Sequence, residues 1–500
     1  LCSILGLPLL LLPTFFPGPM GRALLPRLCT ALLLAGEVSR YASALEVKPL
    51  SLPFFSPVAL ATAGFGATSA ATVDAAADDD DDKQDLSSNT RKVTAANAPC
   101  NLEPWLAESA ALGEEGFHVI CALNHTALKV YRGGMKTPEP LLLRVGKSDL
   151  RKVLAASLDI KLGIEYNTTK GLLKWRKQPW TLFGQMGREL QVGSETKFLA
   201  EHFERLPASP LLLLLFEGGA WRWPTIRVGY RREAMEGVFL TTVSRQPALF
   251  EVVIDPTASP SKGKKASKLN AALLSNVVEL ARPKLQASMT EGKVDKKMRS
   301  SEQTFLDYGM DPKLKELALA TSRLLRGPEE NLEALQVLRY TESQHYDAHR
   351  DYWDPREFPD VPRFKNQEGY WHMRHATLLW YLSPPDEGGE TWFPRAHGGP
   401  IPTGDWMACD DRGAKVSPRN ATAVLFYSLR ADGDIDEYSW HCGCPVKKGV
   451  KWAANSWISN TPKGIRAEGR RPETPPKGVR KSGKRPADGG QQEHFETKEL

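Results

Sequence analysis

Two periodicities of apolar and polar positions divide the chain. "ALKVYRG" (127–133) and "PLLLRVG" (140–146) read as strands, and "KSDLRKVLAASLDIKLG" (147–163) as an amphipathic helix behind them. "SPLLLLLFEGG" (209–219) is a buried-strand run closed by a glycine pair. Further along, "PALFEVVID" (247–255) predicts a strand. "LNAALLSNVVELARPKLQ" (269–286) sets Leu269, Leu273, Val277 and Leu280 on one helical face. Four more strands are predicted at "LQVLRY" (335–340), "ATLLWYL" (376–382), "TAVLFYSL" (422–429) and "KWAANSWI" (451–458). Turn clusters such as "SPPDEGG" and "RADGDID" separate them. Helices followed by many strands with antiparallel-style connections predict an α+β protein with a β-sandwich core.

The flanking segments lack this periodicity. Residues 1–44 read as a leader. From Met20, Arg22 and Arg27 precede the short apolar run "LCTALLLAG", and Ala42-Ser43-Ala44 offers a cleavage site. The apolar run is too short to span a bilayer, so a secreted or endoplasmic-reticulum chain with no stable membrane span after cleavage is expected. The Ala/Ser/Thr-rich stretch after it leaves a two-part plastid address as the alternative. Residues 45–98, with "DDDDDK" at 78–83, read as a disordered linker, and 461–500 as a disordered basic tail. Between them lie a small mixed α/β domain over 100–215, faintly ubiquitin-like in its β-β-α order, and a larger domain over 217–460. Composition is that of a globular chain, 41% hydrophobic and 25% charged. A net charge of +6 over 500 residues does not call for nucleic acid.

Five cysteines follow the leader: Cys100, Cys121, Cys409, Cys442 and Cys444. An odd number leaves at least one unpaired within a monomer. In an oxidising lumen a disulfide from Cys409 to Cys444 or Cys442 is favoured over zinc at the tight Cys442-Gly-Cys444 pair. Asn124, Asn167 and Asn420 open acceptor triplets for glycosylation.

The chemistry concentrates in "LRYTESQHYDAHRDYW" (338–353), where His-x-Asp occurs twice, as His345–Asp347 and His349–Asp351. Two His and one carboxylate on one side of Fe(II) leave positions open for a cosubstrate and oxygen. Residues i and i+2 of a strand point the same way, so alternation gives all four residues one face and does not choose between the pairs. The third ligand must come from His372, His375, His397 or His441. His441 opens "HCGCPVKKGVKWAANSWI", where Lys451 can serve as a point charge for a distant carboxylate. His372 and His375 are expected at a loop surface.

With these motifs assembled, residues 247–460 resemble the catalytic domain of the prolyl 4-hydroxylases, Fe(II)- and 2-oxoglutarate-dependent dioxygenases with a double-stranded β-helix (jelly-roll) core. The likeness runs through "RSSEQTF", the doubled His-x-Asp segment, "ATLLWYLSPPDEGGETWFP" and the His441–Ile458 stretch. It implies that His349, Asp351 and His441 hold the metal, that Lys451 anchors 2-oxoglutarate, and that Tyr340, Thr377 and Tyr381 lie near the cosubstrate. It departs from the family pattern at Ser343, where Gly is usual, at Cys442, where Ala is usual, and in a basic insertion after Asp255.

The resemblance implies hydroxylation of peptidyl proline with Fe(2+), 2-oxoglutarate, L-ascorbate and O2, yielding succinate and CO2. The substrate would be a Pro-rich peptide, with Tyr346, Trp353 and Trp392, beside Trp371, as candidate groove walls. The same chemistry on another side chain or a small molecule, and a catalytically dead binding module, are the alternatives. The exact peptide, the oligomeric state and the role of 100–215 stay open.

Overall fold

A computed structural model describes residues 100–462, apart from 101, 134–136, 144–148, 161–164, 168–173, 177–178, 256–268, 270, 290–293, 355–356, 358–365, 367–369 and 401–408. The expected leader, acidic linker, basic insertion and basic tail all fall outside the described residues.

After helix α1 (Pro104–Leu112), strands β1 (Phe117–Ala122), β2 (Ala127–Tyr131) and β3 (Glu139–Leu142) lead to α2 (Leu150–Ser157). The Asp149 carboxylate caps α2 by accepting from the Arg151 and Lys152 amides. A short hairpin, β4 (Glu165–Asn167) with β5 (Lys174–Arg176), precedes β6 (Thr181–Gly184), α3 (Glu195–Arg205) and β7 (Leu211–Phe216). The sheet order is β3-β2-β1-β7-β6. Every pairing is antiparallel, including the central β1–β7 pair, whereas a ubiquitin-like roll has a parallel pair at its centre. That corrects the resemblance read from the β-β-α order, because β1, unrecognised in the sequence, precedes the two strands that were read.

Sequence period fails in β1 and β7 for a physical reason. Both are buried on both faces, so they read as continuous apolar runs. One face packs under α2 and α3 through Ile120, Leu213, Leu215, Leu154 and Phe203. The other carries Phe117, Val119, Leu214 and Phe216 into a cluster with Trp221, Trp223 and the larger sheet. Cys100–Cys121 ties the segment before α1 to β1.

The larger sheet is built from β8 (Arg231–Met235), β9 (Val238–Ser244), β10 (Leu249–Ile254), β11 (Gln286–Ala287), β12 (Glu302–Leu306), β13 (Leu335–Tyr340), β15 (Arg374–Ser383), β19 (Thr422–Tyr427) and β22 (Lys451–Ser459), in the order β11-β12-β13-β22-β15-β19-β10-β9-β8. Helices α4 (Ala271–Ala281) and α5 (Pro312–Leu325) cover it, with Leu273, Val277, Leu317 and Leu324 in the same core. A second, four-stranded sheet runs β14 (Tyr346–His349), β20 (His441–Gly443), β17 (Thr391–Phe393), β18 (Ala414–Val416). Leu379, Tyr381, Phe426 and Ala453 of the large sheet meet Phe393 and Val416 of the small one. The two sheets therefore face each other, as in a double-stranded β-helix. A two-stranded ribbon, β16 (Glu387–Gly388) with β21 (Val446–Lys448), closes one end.

Candidate active site

The small sheet positions the first two candidate ligands. In the β14–β20 pair, Tyr346 faces Gly443 and His349 faces His441. Three steps on β14 thus match two on β20, which is a β-bulge. The extra residue turns His349 to the face that Tyr346 occupies, and the two rings stack at 3.7 Å. His345, one residue before Tyr346, falls on the other face and bonds the Lys297 and Ser343 carbonyls. The bulge therefore separates the two His-x-Asp pairs that strict alternation placed together.

His349, Asp351 and His441 converge, with their ligand atoms all within 4.8 Å of one another. His349 Nε2 lies 3.8 Å from Asp351 Oδ1, and His441 Nε2 lies 3.8 Å from Asp351 Oδ2. The other ring nitrogen of each is tied to backbone: His349 Nδ1 donates to the Asp347 carbonyl at 2.8 Å, and His441 Nδ1 to the Ser439 carbonyl at 3.0 Å. A carbonyl only accepts, so each Nδ1 donates a proton to it, and each Nε2 faces Asp351. Burial, and then the neighbouring His441, hold His349 down to about 3, so it is a neutral imidazole. Burial pushes Asp351 up, but His441, His349, Arg374 and the Thr377 hydroxyl outweigh it and bring the carboxyl down to about 2. Two imidazole nitrogens and one carboxylate on one side of a point fit a facial Fe(II) site.

Asp351 is oriented by the large sheet. Thr377 Oγ1 donates to Asp351 Oδ2 at 2.6 Å, and Trp457 Nε1 donates to the same oxygen at 2.9 Å. Thr377 and Trp457 are register partners across β15 and β22, which is why both reach one oxygen. The Arg374 guanidinium lies 3.5 Å over the Trp457 ring and is held by a two-bond pair with Glu333. Trp457 is six residues from Lys451 and shares its strand parity, so its place was readable from alternation. Arg374 was not readable, because a register shift separates it from Ala376.

Lys451 is 3% exposed at the start of β22 and has no ion-pair partner among the described residues. Its Nζ lies 5.3 Å from the Tyr340 ring and 5.5 Å from the Tyr381 ring. Burial pulls its ammonium down to about 8, with only partial compensation from Glu390. A buried cation without a counter-charge fits an anionic cosubstrate. The Tyr381 hydroxyl is already engaged by Thr391 Oγ1 at 2.8 Å and the Val416 carbonyl at 3.0 Å, so this residue offers its ring to the Lys451 pocket.

The remaining expected residues divide. Tyr346 is half-buried between His349 and the Arg299 guanidinium, which sits 4.4 Å above its ring. Trp353 is half-buried against Tyr352, Trp371 and Met373. Trp392 is fully buried with Cys442 and Cys444, and its indole donates to the Arg412 carbonyl. It is core, not groove wall, because β17 lies between β18 and β20 with both faces covered. Trp371, 4% exposed, is likewise interior. His375 is buried too, against the expected loop surface, with Nε2 on the Trp221 carbonyl. His372 bonds Thr461, and His397 sits exposed in a turn with positive φ. Cys409 and Cys444 form a disulfide, which removes the zinc alternative. Cys442 is the free thiol among the described residues.

The 2OG-Fe(II) oxygenase superfamily profile matches residues 335–459, which contain the whole cluster. Probable prolyl 4-hydroxylase 8 of Arabidopsis thaliana is 37% identical over 191 residues, covering 37% of this chain and 63% of the relative. Prolyl 4-hydroxylase 5 of the same plant is 36% identical over 191 residues, covering 37% and 62%. The chain thus spans less than two thirds of the length of these relatives. A viral collagen prolyl hydroxylase from Paramecium Bursaria Chlorella virus-1, solved as a 2OG complex, shares 27% identity. It covers 38% of this chain and 91% of that one, at a TM-score of 0.28. Residues 335–459 are thus similar to the 2OG-Fe(II) oxygenase superfamily, and this part of the chain is similar to prolyl 4-hydroxylases.

Proposed function

We propose that the chain is an Fe(II)- and 2-oxoglutarate-dependent dioxygenase that hydroxylates proline in Pro-rich peptides. The observation that carries this reading is the His349–Asp351–His441 cluster beside a buried, unpaired Lys451 in one β-helix. The prolyl 4-hydroxylase relatives support proline as the target residue.

When bound, Fe(II) and 2-oxoglutarate supply the oxidising chemistry, in which 2-oxoglutarate and O2 give succinate and CO2 while a C–H becomes C–OH. The chain's own residues bind and orient. His349, His441 and Asp351 Oδ1 would hold the metal, and Thr377 and Trp457 fix the Asp351 rotamer through Oδ2. Lys451 would neutralise the far carboxylate of 2-oxoglutarate within walls of Tyr340 and Tyr381. Tyr346, half-buried and stacked on His349 with the buried Arg299 guanidinium over its ring, would meet the peptide. Ascorbate would keep the iron ferrous.

The test is mass spectrometry of a Pro-rich peptide panel after incubation with Fe(II), 2-oxoglutarate and ascorbate. A gain of one oxygen on proline, matched by succinate, is expected. Succinate stimulated only by other peptides or small molecules would move the substrate elsewhere, and no succinate under any condition would leave a dead binding module.

We also infer that the chain is made in the secretory pathway, with a leader ending at Ala44. Two disulfides, Cys100–Cys121 and Cys409–Cys444, support an oxidising compartment. N-terminal sequencing of the mature protein should find a start near Leu45, and retention of residues 20–40 would overturn it.

A further inference from the structure

Three Asn-x-Thr triplets, at Asn124, Asn167 and Asn420, take no part in the oxygenase chemistry. The Asn167 triplet leaves the described residues at position 168. The other two are held differently. Asn124-His125-Thr126 forms the turn between β1 and β2, closed by the Leu123 amide on the Ala127 carbonyl at 2.9 Å. His125 is exposed, and Asn124 and Thr126 are half-buried. Asn124 Oδ1 accepts from the Thr126 hydroxyl and from the Thr126 and Ala127 amides, each at 2.8 Å. Among the described residues no acceptor engages Asn124 Nδ2. The hydroxyl that the acceptor motif requires therefore sits against the carboxamide that would be modified. Three donors on Oδ1 also draw the amide electrons toward oxygen, which eases loss of a proton from Nδ2.

At Asn420 the same hydroxyl is withdrawn. Asn420 is exposed, but Thr422 is 4% exposed as the first residue of β19, which lies between β10 and β15. Thr422 Oγ1 donates to the Arg419 carbonyl at 2.8 Å. The asparagine is within reach of a transferase and its threonine is not.

We propose that Asn124 is an N-linked glycosylation site and that Asn420 is not used. The proposal rests on the secretory reading above. Cys121, on β1 just before the turn, is held in the disulfide with Cys100, so this hairpin matures under the oxidising conditions of the compartment where such transfer occurs. In the transfer Asn124 Nδ2 takes C1 of an oligosaccharide carried on a lipid diphosphate. An N–C bond forms and the C1–O bond to the diphosphate breaks. The lipid diphosphate leaves with that electron pair, and one Nδ2 proton passes to a base of the transferase.

The test expresses the full chain in a eukaryotic cell in two forms, one with its own N-terminus and one with a generic cleavable secretion signal before Leu1. Glycans are removed by a peptide N-glycosidase in heavy-oxygen water, which turns each occupied Asn into a mass-tagged Asp, and the peptides are read by mass spectrometry. Behind the added signal, Asn124 should carry the tag in most copies and Asn420 in few. Thr126→Val should lose the tag at Asn124, and Thr126→Ser should keep it. A bare Asn124 behind the added signal overturns the proposal, whatever happens at Asn167. So does an Asn420 tagged as often as Asn124, or a tag at Asn124 that survives Thr126→Val. A tag at Asn124 that appears only with the added signal supports the site and overturns the secretory reading instead.

Discussion

Replacing Lys451 by Met should stabilise the protein while removing its response to 2-oxoglutarate. The wild-type ammonium is 3% exposed, and its pKa falls from 10.5 to about 8 on folding. At 1.36 kcal/mol per unit, holding this charge without a partner costs the folded state about 3 kcal/mol at neutral pH. Met fills the same volume without charge, so Lys451→Met should gain up to about 3 kcal/mol at pH 7 in the absence of cosubstrate. The pH dependence has a defined sign. From about pH 8 to 10.5 the unfolded chain binds more protons than the folded one, so wild-type stability rises with pH there and the advantage of the variant shrinks. Urea unfolding at pH 7 and pH 10 measures both quantities. With a redox-inert divalent metal and 2-oxoglutarate at 100 times its Kd, wild type should gain about 2.7 kcal/mol and the variant almost nothing. A less stable variant at pH 7, or an equal gap at both pH values, would refute the buried-charge reasoning. Equal stabilisation of the two proteins by 2-oxoglutarate would refute the anchor.

Three further outcomes are expected. Asp351→Asn should lose tight Fe(II) binding, measured as iron per chain after gel filtration, while Asp347→Asn keeps the metal and loses at most about 10–100-fold in activity; the reverse would make His345–Asp347 the site. Thr377→Val removes one of two donors to Asp351 Oδ2, so metal affinity by titration should fall about 10–100-fold with little change in unfolding midpoint. Trp392→Ala should cost about 3–5 kcal/mol in urea unfolding, as expected of a core residue, rather than selectively raising the KM for a peptide.

The large sheet was legible because β10, β13, β15, β19 and β22 are long apolar runs between turn clusters. The ligands were legible once motif neighbours set the register. The small sheet was not: β17, β18 and β20 are three residues each, too short for a period to declare itself. Helix α3, "ETKFLAEHFER", was missed although Leu199 and Phe203 form an i,i+4 apolar pair. The aromatic groove was overread for a different reason. A Trp in a strand of a closed sandwich contributes to whichever layer covers it, and sequence does not reveal the cover. Trp392 thus went to the core, while Tyr346 stayed beside the metal.

Alternation failed at the place where the chemistry sits. In an unbroken strand His345, Asp347, His349 and Asp351 would all face one way, and four ligand-type side chains would crowd one side of β14. The bulge between Tyr346 and His349 removes that degeneracy by turning one pair away from the interior. It has a second consequence. With the register shifted, Tyr346 and His349 share a face, and the stacked phenol ring packs against the imidazole whose Nδ1 is held by the Asp347 carbonyl. One inserted residue therefore selects which His-x-Asp pair faces inward and stacks the Tyr346 ring against the inward His349. Deleting Ala348 makes two steps on β14 match two on β20, so Tyr346 should stay opposite Gly443 and His349 opposite His441, still sharing a face. Iron bound per chain should therefore survive this deletion, and its loss would refute the reading of Ala348 as the extra residue of the bulge.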